Sequence, residues 1–411
     1  MTANVETTAP IATPASIQAL HAIPFGMRSA LKIMLKLPNG ELTVTFPDGD
    51  RLRFVGKNEG PAAELQIVDF RFVRRAIAGG DVGLGEGYMA GEWTTPDLTA
   101  LLMYFADNLD NQPGIVAGGP LTRFVHWIYH QFRANTKAQA KRNIEAHYDL
   151  GNDFYEQWLD PSMTYSSARF PEPGLSLEDA QHEKYRALAD SIDLKEGDHV
   201  LEIGCGWGGF AEYAARDRGA RVTCLTLSSE QQAYARERME KLQLSDRVDI
   251  KLQDYRDETG TYDKVASIEM FEAVGQEYWP SFFGKVHDCL KPGGRAGLQI
   301  ISIRDDLFET YARRTDFIQR YIFPGGVLPS LEMLKAEFAR ASLSLERIEA
   351  FATDYADTVA EWMKRFTTAW DDIRPLGFDD RFRRMWEFYL AYCEAGFRTG
   401  RIDVAQYTLA R

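Results

Sequence analysis

The sequence predicts an α/β protein: an open, mostly parallel sheet with helical insertions, plus a smaller N-terminal α+β domain. Three observations carry this expectation. From about Leu194 onward, short apolar strands alternate with helical stretches, a pattern that requires parallel strands joined by right-handed crossovers. A glycine-rich turn, Gly204-Cys205-Gly206-Trp207-Gly208-Gly209, follows the first of those strands and opens a helix. The chain has 411 residues, more than one ordinary core organises, so a second domain is expected.

The first 25 residues are expected to be a disordered leader. Met1–Leu20 is rich in Thr, Ala and Pro and lacks the basic start and apolar core of a secretory signal. Residues 26–120 form the α+β domain. Within it, Leu42–Gly56 is a hairpin signal, two β-rich runs around Pro47-Asp48-Gly49-Asp50. A helix is expected near Phe70–Ala78, tight turns at the glycines of Gly83–Trp93 (GLGEGYMAGEW), and a helix over 97–108. The Gly/Pro cluster around Asn111–Pro120 marks a boundary. Residues 121–145 follow as a basic linker helix carrying Arg123, Arg133, Lys137, Lys141 and Arg142 beside Trp127, Ile128 and Phe132. Such a helix is either a solvated connector or a patch facing anionic headgroups.

Residues 146–411 are expected to form the larger, α/β domain. Its strands are expected at His199–Gly204, Arg221–Leu227, Arg247–Asp254 and Asp263–Met270. A helix over Tyr278–Leu290 and the turn Lys291-Pro292-Gly293-Gly294 lead to a strand at Arg295–Ile303. An excursion of about 35 residues precedes a strand at Leu343–Phe351, two aromatic helices and a closing strand near Val404–Ala410.

Net charge is −13, which argues against nucleic acid as the partner, because phosphate binding needs a cationic surface. A membrane surface stays open, since local patches decide that contact. No run of about 18 apolar residues is present to span a bilayer. Cys205, Cys224, Cys289 and Cys393 are far apart and match no metal spacing, so no metal is expected and a reducing cytoplasm is. His126 and His130 have helical spacing, but on an apolar, aromatic face where packing is the better reading.

The stretch Glu202-Ile203-Gly204-Cys205-Gly206-Trp207-Gly208-Gly209 resembles the E-x-G-x-G-x-G motif of class I methyltransferases. The resemblance implies that Gly204, Gly206 and Gly208 let the backbone approach S-adenosyl-L-methionine while Glu202 orients the first turn. Dinucleotide binding is the rival. Gly204, Gly206 and Gly209 can be threaded through its fingerprint, but the acid it needs about 20 residues on, at a strand end, is absent. Thr226, Ser228 and Gln231 lie where ribose hydroxyls are bound in many such enzymes; Ser228 could equally cap the following helix. Asp254, ending the third strand, stands where an adenine amino group would be read, with Tyr255 beside it as a stacking surface.

Five further stretches extend the likeness: His147–Phe170 (HYDLGNDFYEQWLDPSMTYSSARF), VLEIGCGWGG, LTLSSEQ, MFEAVG (Met270–Gly275) and YIFPGGVLPS (Tyr321–Ser330). Together they resemble the cyclopropane fatty acid synthase family over about Lys141–Arg411, and GLGEGYMAGEW points to its phospholipid-acting branch. The resemblance implies methyl transfer from S-adenosyl-L-methionine to the double bond of an unsaturated phospholipid acyl chain. It also implies work at an anionic membrane surface on the inner, cytoplasmic face, and Tyr165 and Ser166 beside the cofactor. A homodimer is open, as are headgroup contacts by Arg381, Arg383, Arg384, Arg398 and Arg401. Tyr165, Phe170, Tyr311, Phe317, Tyr321 and Trp362 are candidates to face a carbocation, since an aromatic face attracts a cation without bonding it.

In that family ring closure is attributed to a bicarbonate held by a cysteine, a glutamate, a histidine, a tyrosine and backbone. Here the cysteine position is Ser167, the glutamate is Glu272, the residue after it is Ala273 and the pocket histidine is Gln299. The tyrosine aligns with Met363. Two readings follow: a drifted pocket that still makes the ring, or a cation resolved by proton loss elsewhere, giving a methyl- or methylene-branched chain. The joint loss of base-holding ligands favours the second, with Glu272 as charge stabiliser or remaining base and bicarbonate in question.

Overall fold

A computed structural model describes residues 9–21, 23–109 and 150–411. The basic linker, the pair His126 and His130, residues 1–8 and 22 of the leader and the start of the HYDLGNDFYEQWLDP stretch lie outside the described residues; within the rest of the leader, Pro14–Ala19 forms a helix capped by Thr13. The chain divides into two compact units, residues 1–126 with Phe378–Thr399, and residues 127–377 with Gly400–Arg411.

The first unit holds a four-stranded sheet of β1 (Asn39–Thr45), β2 (Arg51–Val55), β3 (Asn58–Ile67) and β4 (Trp93–Thr94), in the order β2-β1-β3-β4. β1 and β2 form the expected antiparallel hairpin, and β1 buries alternate residues, Leu42 and Val44, as period-2 patterning requires. The expected tight turns at Gly83, Gly85 and Gly87 are not there. These glycines sit inside one long helical stretch, Arg71–Met89, kinked at Gly80, whose φ is +60°. They serve close packing instead. A Cβ on Gly83 would stand 1.9 Å from the Arg75 carbonyl oxygen, and one on Gly87 would stand 2.8 Å from Phe72 Cβ. The helix Asp380–Arg398 packs in this unit although it comes from the far end of the chain: Tyr88 donates to Glu387, Thr99 to Glu394 and Tyr392 to Asp81. Two of its arginines, Arg383 and Arg398, pair with Glu387 and Glu394 one turn away, and Arg384 lies over the Tyr88 ring.

The second unit is built on a seven-stranded sheet: β5 (His199–Ile203), β6 (Arg221–Thr226), β7 (Val248–Leu252), β8 (Tyr262–Ile268), β9 (Leu290–Ile303), β10 (Ser344–Ala350) and β11 (Ile402–Ala410). Their order is β10-β11-β9-β8-β5-β6-β7. β5 to β9 pair in parallel, and β11 enters antiparallel between β9 and β10. Both faces are covered, which is why the central strands read as continuous apolar runs. Leu201, Ile203 and Leu225 point to one core with Phe271 and Phe282; Val200, Val222 and Cys224 point to the other with Leu188 and Phe210. Order reverses at β5, the first strand, between β6 and β8. Crevices beyond the carboxyl ends of strands at such a switch point are where ligands bind in open α/β sheets.

No described helix is long and apolar enough to cross a membrane. All four cysteines are free thiols, and no metal-ligand cluster occurs among the described residues.

Candidate active site

The glycine turn leaves β5 at the switch point. Gly204, Gly206 and Gly208 all have positive φ (+83°, +50° and +87°), conformations that L side chains rarely adopt. Gly208 is the N-cap of the helix Gly209–Arg216. A Cβ on Gly206 would point into open space, so the turn offers bare backbone on that side. At Gly204 the missing side chain is replaced by Met270, whose Cγ would stand 2.5 Å from a Cβ there. That contact sets the segment after β8 directly on the cofactor turn. Glu202, buried, ends the strand below it, accepting from Cys224 Sγ at 3.5 Å; burial pushes its carboxyl up to about 8.

Next along the sheet, Thr226 Oγ1 donates to Gln231 Oε1 at 3.1 Å and accepts from Ser228 N at 3.1 Å. Ser228 accepts from Gln231 N, capping the helix Ser229–Lys241. Thr226, Ser228 and Gln231 thus form one buried cluster after β6. Asp254 caps a short 3-10 turn after β7, and both its oxygens accept from Arg256, at 2.6 to 2.9 Å. Tyr255 packs on Phe282 with ring centroids 5.4 Å apart. These residues line up along the carboxyl ends of β5, β6 and β7. The cradle of glycines, the buried strand-end acid and the polar groups after β6 fit S-adenosylmethionine.

A second cluster lies at the carboxyl ends of β8 and β9, and its central residue escaped the sequence reading. Glu269 follows β8 with φ +49°, a left-handed conformation uncommon for any residue but glycine. Its Oε1 accepts from the backbone N–H of Ser167 at 2.8 Å and from Gln299 Nε2 at 2.7 Å. Its Oε2 accepts from Tyr355 Oη at 2.5 Å. Two of the positions that the resemblance gave to a bicarbonate site, Ser167 and Gln299, are therefore turned on a carboxylate of the chain itself. The Ser167 hydroxyl donates elsewhere, to the Ala168 carbonyl at 2.9 Å. The hydroxyl sought at Met363 comes from Tyr355, about two turns earlier in the same helix, Ala352–Thr368. A separate bicarbonate does not fit this donor set, because Glu269 already engages it.

Glu272 stands close by. Its Oε1 accepts from Ile301 N at 2.5 Å, while its Oε2 is shut off from solvent and has no hydrogen-bond partner. Burial first, and the Glu269 charge second, push its carboxyl up to about 8. Glu269 is also pushed up by burial, but Lys184, Tyr355, Gln299 and the Ser167 N–H all favour its anion. Lys184, fully buried on the helix Leu177–Ser191, donates to Ser166 Oγ at 2.6 Å. Burial pulls its ammonium down to about 7 against the opposing pull of Glu269, Asp160 and Glu202.

Of the candidate aromatics, Tyr165 and Trp362 meet, with centroids 5.3 Å apart, in a cluster with Tyr155 and Trp158. Phe317 and Tyr321 pair with each other at 5.1 Å, and Tyr311 Oη is engaged by Leu328 N and Gln319. Phe170 is tied through its backbone N–H to Asp354. Two signals for the missed residues were present. Glu269 is a second acid just past an apolar strand, in SIEMFE. Lys184 falls on the buried stripe of its helix with Ala180, Gln181 and Leu188.

Comparison with known proteins agrees with this geometry. Residues 135–407 match the family model described as mycolic acid cyclopropane synthetase. The chain is 41% identical over 353 residues to the tuberculostearic acid methyltransferase of Mycobacterium tuberculosis, covering 82% of this chain and 81% of that one. It is 35% identical over 365 residues to the cyclopropane-fatty-acyl-phospholipid synthase of Escherichia coli, covering 86% and 89%. Among solved structures, a mycolic acid cyclopropane synthase complexed with SAH and CTAB superposes with a TM-score of 0.63 at 30% identity, over 66% of this chain and 98% of that one. A glycine cradle at the switch point, two strand-end carboxylates above it and likeness across most of the chain converge: the chain belongs to the cyclopropane fatty acid synthase family and is an S-adenosylmethionine-dependent methyltransferase.

Proposed function

We propose that this enzyme methylates the double bond of an unsaturated acyl chain in a membrane phospholipid, and that the product is a methyl- or methylene-branched chain rather than a cyclopropane. The observation that carries the proposal is the Glu269 carboxylate, which accepts from Ser167 N, Gln299 and Tyr355 where the family resemblance implies a bicarbonate. The left-handed backbone at Glu269 supports it, since such strain costs about 1 kcal/mol or more and persists where the side chain is needed. The relatives support the acceptor class: one is named a tuberculostearic acid methyltransferase, another a cyclopropane-fatty-acyl-phospholipid synthase.

S-adenosylmethionine supplies an electrophilic methyl group. The π pair of the acyl double bond forms the new C–C bond, the methyl–sulfur bond breaks with its electrons left on sulfur, and the neighbouring acyl carbon becomes a cation. Tyr165 and Trp362 offer ring faces that attract this cation without a lone pair to trap it. A 1,2-hydride shift moves the charge to the carbon that bears the new methyl. Loss of a proton from that methyl gives a methylene branch; loss from the chain gives a methyl-branched alkene. Glu269 takes the proton. Glu272, holding its own proton up to about 8, adds no competing base near neutrality.

An acceptor in a bilayer makes this an enzyme of the membrane surface, met from the inner, cytoplasmic side. Sedimentation with anionic vesicles that weakens as salt rises is the expected behaviour.

The second reading is ring formation. Retention of Glu272 and its bond from Ile301 N favour it. Incubation with methyl-labelled S-adenosylmethionine and monounsaturated phospholipid vesicles, followed by mass spectrometry and NMR of the fatty esters, separates the two. Vinylic methyl or exomethylene signals are expected. A saturated three-membered ring as the main product overturns the proposal.

A further inference from the structure

Lys184 is the one fully buried lysine among the described residues, and no step above uses it. Its Nζ makes no ion pair among the described residues; the tie to Glu269 runs through the Tyr165–Ser167 loop, where Lys184 donates to Ser166 Oγ at 2.6 Å and the next N–H, that of Ser167, donates to Glu269 Oε1 at 2.8 Å. At longer range the charges of Glu269 after β8, Asp160 before the helix Leu177–Ser191 and Glu202 on β5 favour its ammonium. Glu269 acts on it most strongly. Glu269 in turn accepts from the Tyr355 hydroxyl, is favoured as an anion by the Lys184 charge, and bears on Glu272. Glu202 is further touched by Cys224 and by the charge of Arg238. A lone carboxylate and a lone ammonium would each shed its charge in such a place; opposite charges in one buried cluster favour each other's ionised form. Three hydrogen bonds donated to Glu269 favour its ionised form, because an anion gains more from donors than a neutral acid does.

We infer that Lys184 is a positioning residue for the methylation: its buried ammonium is the counter-charge that keeps Glu269 ionised and ready to accept the proton released by the acyl cation. The inference rests on the reading of Glu269 as the base. The ammonium itself meets no substrate. Its hydrogen bond to Ser166 Oγ holds the nitrogen in place on the side of the Tyr165–Ser167 loop. Among the described residues the same buried face of this helix holds no other cation: Gln181, one turn earlier, is a neutral amide whose Nε2 is spent on the Ser166 carbonyl, and Arg186 pairs with Glu183 and Asp190 on the outer side.

The test is the pH profile of turnover in the full-length enzyme with saturating S-adenosylmethionine and monounsaturated phospholipid vesicles. Removing the positive charge raises the carboxyl of Glu269, so the acid limb moves to higher pH. Lys184→Met is expected to lose at least about 10-fold in kcat near pH 7, with recovery as pH rises by one to two units. Ser166→Ala, which removes the hydroxyl partner but leaves the ammonium, is expected to keep the acid limb of the parent. A Lys184→Met loss equal at every pH, a loss confined to the KM for S-adenosylmethionine, or a Ser166→Ala profile that copies Lys184→Met makes Lys184 a brace for the loop and overturns the inference. Should Lys184→Met not fold, the infrared difference spectrum of the parent minus Glu269→Gln near neutral pH decides. Ionised-carboxylate bands are expected; a protonated-carboxyl band overturns the inference. Glu269→Gln separates the two layers: if its turnover and products match the parent, the base assignment fails first. If it is inactive while Lys184→Met keeps the parent profile, only the role of Lys184 fails.

Discussion

Gln406 donates through Nε2 to Oε1 of Gln299 at 3.1 Å, from β11 to its antiparallel neighbour β9. Gln406 Nε2 also donates to the Lys184 carbonyl at 3.2 Å. The amide oxygen of Gln299 is thereby assigned as an acceptor, which turns its NH2 toward Glu269. Gln406→Leu removes this control. Turnover is expected to fall about 5-fold, in line with about 1 kcal/mol for one buried hydrogen bond. Steady-state kinetics should show the loss in kcat, with the KM for S-adenosylmethionine unchanged.

Tyr355 and Met363 lie on one helix, but only Tyr355 reaches the carboxylate. Tyr355→Phe keeps the ring and deletes a donor to the Glu269 anion, so the carboxyl rises and the acid limb of kcat shifts upward. A loss of about 10-fold near neutral pH is expected. Met363→Leu is expected to leave the profile where it was. Equal losses in both variants would return the tyrosine role to the helix as a whole.

Glu272 gives stability a pH dependence of defined sign. The folded protein holds this proton up to about 8, while the unfolded chain releases it near the ordinary value of 4.5. Between those limits the unfolded state binds fewer protons, so stability falls as pH rises, and the loss levels off above the folded value. Glu272→Gln removes that slope. In thermal unfolding, the advantage of the variant over the parent should be near zero at the acid end of the window. It should grow to roughly 2–3 kcal/mol at its upper end, discounted from the full shift because part of Glu272 stays accessible. An advantage that is constant with pH would show that Glu272 is ionised throughout.

Gly204→Ala tests the contact between the cofactor turn and the segment after β8. The new methyl would sit 2.5 Å from Met270 Cγ at a φ of +83°. Strain of about 1–3 kcal/mol is expected to appear as weaker binding of S-adenosylmethionine, on the order of 10-fold or more by calorimetry. Adding Met270→Ala should recover the part due to the clash and leave the part due to backbone conformation.

Much of the second unit was legible in the sequence because its strands are apolar runs punctuated by glycine, proline and capping residues. β5, β6, β8 and β11 fall where the pattern put them, and Ser228 caps its helix within the buried cluster it forms with Thr226 and Gln231. The glycines of residues 83–87 misled for a physical reason. Glycine marks a turn when its positive φ is used, but here it is the lack of a side chain that is used, inside a helix packed on its own first half. The second acid site was harder to read. Glu269, Gln299, Tyr355 and Gln406 come from four separate elements, and no local spacing joins them. Tyr355 was passed over because the resemblance puts the family's tyrosine directly after Trp362, at Met363, about two turns further along the same helix.

The backbone of Glu269 has an implication for how such enzymes diverge. At a left-handed position the most comfortable occupant is glycine, and glutamate codons lie one base change from glycine codons. Random drift therefore pushes this site toward the residue that erases the acid and relaxes the chain in one step. If Glu269 is the base of the proposed function, a relative with glycine at this position is expected to release a lipid of different shape, which product analysis of that relative checks.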